Sequence, residues 1–182
     1  MSTFDLIVKY HEAIVRGLLV TLQLCGLIWT IGIVVGAVAG YARHKWPTSI
    51  GRVFSIFAFI VAGMPILVLL YWLHFPAQSF LQVTIDPFWT AVAALGVVNI
   101  AMVSEDVLNV LTDFPRQYVS AAEACGMSRL DIIIRIQAPL VLRQVVPALL
   151  KTQVYMLQAT LFASLISVQE IFRVAQLSLI HI

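Results

Sequence analysis

The chain has 182 residues, of which 61% are hydrophobic and only 11% charged, against roughly 25% charged in an ordinary soluble domain. Its net charge of +2 is too small to indicate nucleic-acid binding. A soluble core of this length cannot hide so much apolar surface. The composition therefore excludes disordered and disulfide-rich secreted classes and predicts an integral membrane protein, surrounded by a lipid bilayer.

Four apolar runs are long enough to cross a bilayer, which takes roughly 20 residues. They extend over about 17–42, 53–75, 88–111 and 146–168, and the long connection 112–143 precedes the last one. Because backbone in lipid must satisfy its own hydrogen bonds, each run is predicted to be helical. The predicted fold is all-α, a polytopic membrane helical bundle forming a single domain over 1–182.

Basic residues indicate the orientation of this bundle. They are concentrated in the connections after the first and third runs, at Arg43, Lys45, Arg52, Arg116, Arg129, Arg135 and Arg143, whereas residues 76–87 contain no Lys or Arg. Cytoplasmic connections carry an excess of basic residues. The first and third connections are therefore predicted to be cytoplasmic and the N-terminus to lie outside.

The first run contains a stripe of small residues. Gly32, Gly36 and Gly40 repeat every four residues and so leave a groove on one helix face. Such a groove lets a second helix approach closely, either within the chain or at a subunit interface.

Four residues of the second and third runs are candidates for a translocation path. Met64 and Pro65 interrupt the second run, and proline removes a helical hydrogen bond, which produces either a kink or a broken helix lining a cavity. Glu105 and Asp106 lie near the end of the third run. Acids inside a membrane are costly unless they reach water, are paired or are functional.

The fourth run is polar for a membrane helix. At 3.6 residues per turn, one face carries Gln153, Thr160, Ser164 and Ser167. This stripe is consistent with a water-filled path and equally with hydrogen bonds between helices.

The sequence shows no apparatus for catalysis. Cys25 and Cys125 are the only cysteines, too few for a tetrahedral metal site. The histidines form no H-E-x-x-H motif, and neither a G-x-S-x-G elbow nor a G-x-x-x-x-G-K-[ST] phosphate loop is present. We predict no catalytic residue, metal or cofactor, and any ATP hydrolysis must take place on another polypeptide.

The connection before the fourth run has the pattern of two short helices. Arg116–Cys125 (RQYVSAAEAC) is predicted to be helical and to end at Gly126. Ser128 and Asp131 form a capping box that begins a second helix, and Pro139 is predicted to end it. The result is a compact helix–turn–helix elbow at the membrane surface.

This elbow resembles the signature of the membrane-spanning permease subunit of bacterial ATP-binding-cassette (ABC) importers that depend on a binding protein. That signature is E-A-A, three residues, G, nine residues, then I-x-L-P. The matching positions are Ser120, Ala121, Ala122, Gly126, Ile136, Ala138 and Pro139. Ser120 replaces the family's Glu and Ala138 its Leu, and the neighbouring Glu123 is the expected substitute for the missing acid.

Other segments are similar to the polar amino acid branch of the same family. Gly17–Leu22 matches its G-L-x-x-T-L, Ala62–Pro65 stands where that branch has R-G-T-P, and Ala101–Glu105 is similar to its A-Y-x-A-E. Gly126–Ser128 matches its G-M-S, and Ser164–Val168 is similar to its S-L-x-S region.

The resemblance implies a transport subunit of the bacterial plasma membrane that is not itself an enzyme. The elbow would be the coupling helix seated in a cleft of a cytoplasmic ATPase. A second permease subunit, identical or different, and an extracytoplasmic binding protein would complete the importer. Alternating access driven by that ATPase would move a small polar solute, expected to be an amino acid.

Two other interpretations stay open from the residues alone. A secondary carrier or channel would work without an ATPase, and a purely structural membrane subunit would transport nothing. The resemblance implies a core of five spans, and we expect the fifth to be missing from this sequence. We expect a truncated permease in which residues 177–182 (LSLIHI) are not native.

Overall fold

A computed structural model describes residues 3–173 and 176, with side chains from residue 11 onward. Within this part the chain is helical and contains no strand, which confirms the all-α prediction. The helices are α1 Thr3–Lys45, α2 Arg52–Gly63, α3 Ile66–His74, α4 Pro76–Leu81, α5 Pro87–Thr112, α6 Gln117–Ala124, α7 Arg129–Ile132 and α8 Ala138–Ala159. Two π-helical turns, Pro47–Gly51 and Ile133–Gln137, and a 3-10 segment, Thr160–Ile166, join or extend them.

Three helical stretches are long and apolar enough to cross a membrane: His11–Lys45, Pro87–Thr112 and Arg129–Ile166. A fourth candidate is the pair Pro47–Gly63 and Ile66–Leu81, which bends by 96° between its halves. The first two of these stretches and the bent pair overlap the first three predicted runs. The last stretch includes most of the predicted run 146–168, but it begins at Arg129, within the predicted connection 112–143. The tail 177–182, which we expect to be foreign, lies outside the described residues.

The second run is discontinuous, as Pro65 predicts. Met64 is extended (φ −91°, ψ 127°), and its N–H donates to the Val61 carbonyl at 3.3 Å. The helix restarts when the Leu69 N–H donates to the Pro65 carbonyl at 3.1 Å. The missing proline N–H therefore separates α2 from α3, and their ends form a corner beside α5.

The glycine stripe of α1 packs against α5 of the same chain. A Cβ atom at Gly32 would overlap the Asn99 side chain, and one at Gly36 would lie 2.7 Å from Val103 Cβ. At Gly40 the added atom would be 2.7 Å from the Ser104 carbonyl oxygen. The first of the two interpretations of this stripe, helix packing within the chain, is therefore correct.

The main apolar core lies between α1, the corner of α2 and α3, α5 and α8. Its largest fully buried members are Leu24, Ile28, Leu70, Leu95 and Met156. Since α5 contacts all of these elements, it is the central helix, and its polar residues are held in fixed positions relative to α1 and α8.

The prediction that Pro139 ends the second helix of the elbow is wrong. The chain stays helical from Arg129 to Ile166, through both Pro139 and Pro147. The π-helical turn explains this, because the Ala138 N–H donates back to the Ile133 carbonyl and the wider turn places Pro139 in the first turn of α8. Proline is favoured in the first turn of a helix, so Pro139 does not end this one.

Candidate functional site

A cavity of about 870 Å³ opens at the corner between α2 and α3, where it faces α5 and α8. Its wall brings together Met64 and Pro65 from the corner with Glu105 and Asp106 from α5. These are four of the eight residues predicted for a translocation path. Tyr155 of α8 also lines the wall.

Arg43 also lines this cavity, and the sequence analysis missed it. We assigned Arg43 to a polar connection, but α1 continues to Lys45 and the Arg43 side chain is only 4% exposed. Its guanidinium donates to Ser104 Oγ at 3.0 Å and Ser55 Oγ at 3.1 Å, and it lies 5.4 Å from the centre of the Phe54 ring. Arg43 follows Gly40 by three residues, so the α5-facing stripe could have predicted its direction.

The two acids of α5 have different partners. Glu105 Oε2 lies 2.9 Å from Nη2 of Arg43 and forms an ion pair, although the Glu105 side chain is half exposed. Asp106 Oδ2 accepts a hydrogen bond from Thr152 Oγ1 of α8 at 2.7 Å, and it forms no ion pair with the described residues. The cavity therefore contains one ion pair, Arg43 with Glu105, and a second carboxylate without an ion-pair partner.

Below the cavity, an amide pair joins the three central helices. Asn99 Nδ2 donates to Gln153 Oε1 at 3.1 Å, and Gln153 Nε2 donates to Asn99 Oδ1 at 3.2 Å. Asn99 Nδ2 also donates to the Ile28 carbonyl of α1 at 2.9 Å. Both amides are buried, so this contact holds α5 and α8 in one register.

The remaining predicted path residues do not line the cavity. Thr160 and Ser164 are buried, and their hydroxyls donate to carbonyls of their own segment, Leu157 and Leu161, each at 2.7 Å. Ser167 is exposed beyond the helix end, with φ at 72°. The four polar residues of the fourth run therefore do not form one face of the cavity. Gln153 binds Asn99, Thr160 and Ser164 make hydrogen bonds to nearby carbonyls, and Ser167 is exposed.

The elbow has the local geometry that its residues predict, apart from its end. Gly126 has φ at +75°, a left-handed conformation that favours glycine, while no atom would obstruct a Cβ there. Ser128 Oγ accepts from the Asp131 N–H at 3.2 Å and donates to Asp131 Oδ2 at 2.6 Å. A sharp turn between α6 and α7 follows from these two contacts.

Most of the predicted coupling residues lie on the surface of this elbow. Ser120, Ala121, Glu123 and Gly126 are exposed, whereas Ala122 is buried, and α6 contacts α7 and the π-helical turn Ile133–Gln137. Of the two remaining coupling residues, Ile136 is half-buried and Pro139 is exposed. An open cleft of about 810 Å³ is lined by Ser120 and Glu123 among others.

Sequence reasoning also missed Glu170, which lies beyond the last span and is fully buried. Its carboxylate accepts from the N–H groups of Phe172 at 3.0 Å and Arg173 at 2.9 Å. Burial raises the pKa of the Glu170 carboxyl, and these two hydrogen bonds partly oppose that change. The neighbouring Ile171 N–H donates to Thr21 Oγ1 of α1 at 3.2 Å, which ties this segment to the bundle.

These features, a broken span beside a charged cavity and an exposed capped elbow, belong to a membrane transport subunit. Residues 32–180 match the family described as "Binding-protein-dependent transport system inner membrane component". The chain belongs to this family, and it is a permease subunit of an ABC-type importer. The secondary carrier interpretation is not supported.

Individual relatives agree with this assignment. The chain is 30% identical over 173 residues to the octopine transport system permease protein OccM of Rhizobium radiobacter, covering 90% of this chain and 70% of OccM. It is 29% identical to the L-cystine transport system permease protein TcyB of Bacillus subtilis, covering 88% and 68%. It is 24% identical to the histidine/lysine/arginine/ornithine permease protein HisQ of Escherichia coli, covering 93% and 78%.

Solved structures show the same fold. A crystal structure of an amino acid ABC transporter with histidines superposes with a TM-score of 0.85 at 25% identity, covering 97% of this chain and 82% of that one. The inward-facing MetNI methionine ABC transporter superposes with a TM-score of 0.74 at 19% identity, covering 96% and 81%. The second likeness concerns the fold alone.

Proposed function

We propose that this subunit imports a small polar solute, an amino acid or amino-acid derivative, by alternating access. The names of its relatives support this solute class, since octopine, cystine and basic amino acids all carry ammonium and carboxylate groups. The cavity offers groups of both signs, Arg43 with Glu105 and the separate carboxylate of Asp106. We propose that the solute contacts four residues of the path, Met64, Pro65, Glu105 and Asp106. The other four residues predicted for the path support it from α8 and the segment that follows: Gln153, Thr160, Ser164 and Ser167.

The partners follow from the same proposal. A separate cytoplasmic ATPase hydrolyses ATP, so this chain is not itself an enzyme, and an extracytoplasmic binding protein delivers the solute. A second permease subunit completes the path. The elbow faces the cytoplasm and the N-terminus lies outside, in the plasma membrane of a bacterium.

One observation carries the coupling role: the elbow is exposed and continues directly into α8. Its residues Ser120, Ala121, Glu123 and Gly126 are exposed, and α6 contacts α7 and the π-helical turn. A displacement of α6 is therefore passed to α8, because α7 and the π-helical turn continue into that helix without a break.

The test is the Gly126→Ala variant in an assembly with the partner ATPase and binding protein. A side chain at φ +75° is strained by roughly 1 kcal/mol or more, so the turn between α6 and α7 should change. We expect ATP-driven uptake and co-purification with the ATPase to fall several-fold. Uptake is measured in proteoliposomes loaded with ATP.

Gly26→Ala is the matched control, because Gly26 lies in α1 and no atom is within 4 Å of an added Cβ. It should leave uptake unchanged. If Gly126→Ala also couples normally, or if solute enters without any ATPase, the coupling proposal is wrong.

A further inference from the structure

The helix α8 carries polar residues on its inward side and on its exposed side. Thr152 and Gln153 face inward and bind Asp106 and Asn99 of α5. Gln144, Lys151 and Gln158, spaced by seven residues, are exposed and form a second stripe, which we call the outer stripe. None of its three side chains makes a hydrogen bond or ion pair with the residues that the structure describes.

The outer stripe lies within a span. At 1.5 Å per residue, Lys151 is about 12 Å and Gln158 about 22 Å along the axis from Arg143, whereas Gln144 is next to it. A cation and an amide at the depths of Lys151 and Gln158 are costly against hydrocarbon, so membrane proteins turn such groups toward a partner or toward water. Lipid alone is therefore a poor cover for this face.

The charges of Lys151 and Asp106 indicate what covers the outer stripe. Lys151 is a cation without an anion, and Asp106 is a carboxylate without a cation, among the described residues. They also lie at the same depth, because Thr152, the neighbour of Lys151, donates to Asp106 at 2.7 Å. A two-fold axis along the membrane normal preserves depth, and a contact across such an axis is made twice.

We propose that a second copy of this chain covers the outer stripe and that Lys151 of each copy pairs with the partner's Asp106. This inference rests on the proposed two-subunit importer and specifies its contact face. The pairing balances the charge that each copy leaves uncompensated. It also places the two cavities on a common interface, since Asp106 lines the cavity wall.

The experiment uses the full chain in membranes, expressed as two differently tagged copies and captured through one tag. Lys151→Asp and Asp106→Lys should each lower co-capture about thirtyfold or more, because truncating one partner of a buried charge pair weakens association by at least that much. The double variant Lys151→Asp/Asp106→Lys should restore it. Arg52→Glu, which reverses an exposed cation on α2, should leave co-capture unchanged.

A second measurement does not depend on charge reversal. One copy carries Lys151→Cys and the other Asp106→Cys, both with Cys125→Ser; Cys25 is buried and stays. A short bifunctional thiol reagent should join the two tags, and Arg52→Cys in place of Lys151→Cys should not be joined.

The proposal is overturned if wild-type copies do not associate, if the single reversals leave association unchanged, or if the double variant is not rescued and the cysteines are not joined. ATP-driven uptake by the wild type is scored separately. Uptake without self-association would refute this inference and leave the proposed function intact. Self-association without uptake would refute the proposed function and leave the contact between the two copies intact.

Discussion

Arg43 contributes a buried positive charge to the cavity wall. The guanidinium is buried, and its polar contacts come from two other helices: Ser55 of α2, and Ser104 and Glu105 of α5. A buried charge is tolerated only when it is paired and hydrogen-bonded. Since Glu105 is half exposed and Arg43 is buried, the two partners are not equivalent.

This asymmetry gives a prediction at the residue scale. Glu105→Leu should destabilise the chain more than Arg43→Met, because it leaves a buried cation without a counter-charge, whereas a half-exposed carboxylate can be hydrated. We expect a loss on the order of 1–3 kcal/mol, below the 3–5 kcal/mol typical of a fully buried pair. Thermal unfolding in detergent measures it.

The double variant Arg43→Met/Glu105→Leu is the control, since it removes both charges and should recover part of the loss. Equal losses for the two single variants, or a larger one for Arg43→Met, would contradict the asymmetry.

At the scale of the elements, the close contact between α1 and α5 depends on three glycines of α1, which have no side chain. Gly32, Gly36 and Gly40 allow the backbones to approach, and the same approach brings Arg43 to Glu105. Without an apolar driving force between helices in lipid, such close packing is a main source of association. The cavity wall thus depends on the stripe.

At this scale we predict the effect of Gly36→Ala. The added Cβ would be 2.7 Å from Val103 Cβ and 3.0 Å from the Ile100 carbonyl oxygen, so α1 and α5 must separate. Overpacking of this kind costs about 1–3 kcal/mol. Gly26→Ala on the open face of α1 should be neutral or slightly stabilising. Similar melting temperatures for the two alanine variants would count against close packing as the determinant.

The elements also show how far sequence patterns reach. The Ser128 and Asp131 capping box and the Gly126 turn were predicted, because each depends on a few neighbouring residues. The passage of the helix through Pro139 was not, since it depends on the π-helical turn at Ile133–Gln137. Proline forbids one hydrogen bond, but it does not determine whether the turn before it widens.

At the scale of the whole molecule, a contact between residues far apart in sequence joins the segment after the last span to the first helix. The Ile171 N–H donates to Thr21 Oγ1, and Glu170 is buried beside this contact. Because burial raises the pKa of the Glu170 carboxyl, protonation of this group is more favourable in the folded chain than in the unfolded chain. The stability that this group contributes is present at acid pH and is lost as pH rises through the raised pKa.

The corresponding prediction concerns Glu170→Gln, whose side chain stays neutral. Melting temperature should decline less from acid to neutral pH in this variant than in the wild type. Glu123→Gln, at an exposed carboxyl of α6, should keep the wild-type decline. Identical pH profiles for wild type and Glu170→Gln would show that this carboxyl does not favour its proton in the folded state.

The sequence alone determined the lipid environment, the positions of the four apolar runs, the interruption at Pro65 and the exposed elbow around Gly126, since each follows from composition or from bonds between near neighbours. Only the tertiary structure decided which polar residues meet. Arg43, Glu105 and Asp106 share one cavity with Met64 and Pro65, whereas Thr160 and Ser164 bond within their own segment and Gln153 joins Asn99. Helical periodicity specifies the face on which a side chain lies, but the packing of α1 against α5 specifies what that face meets.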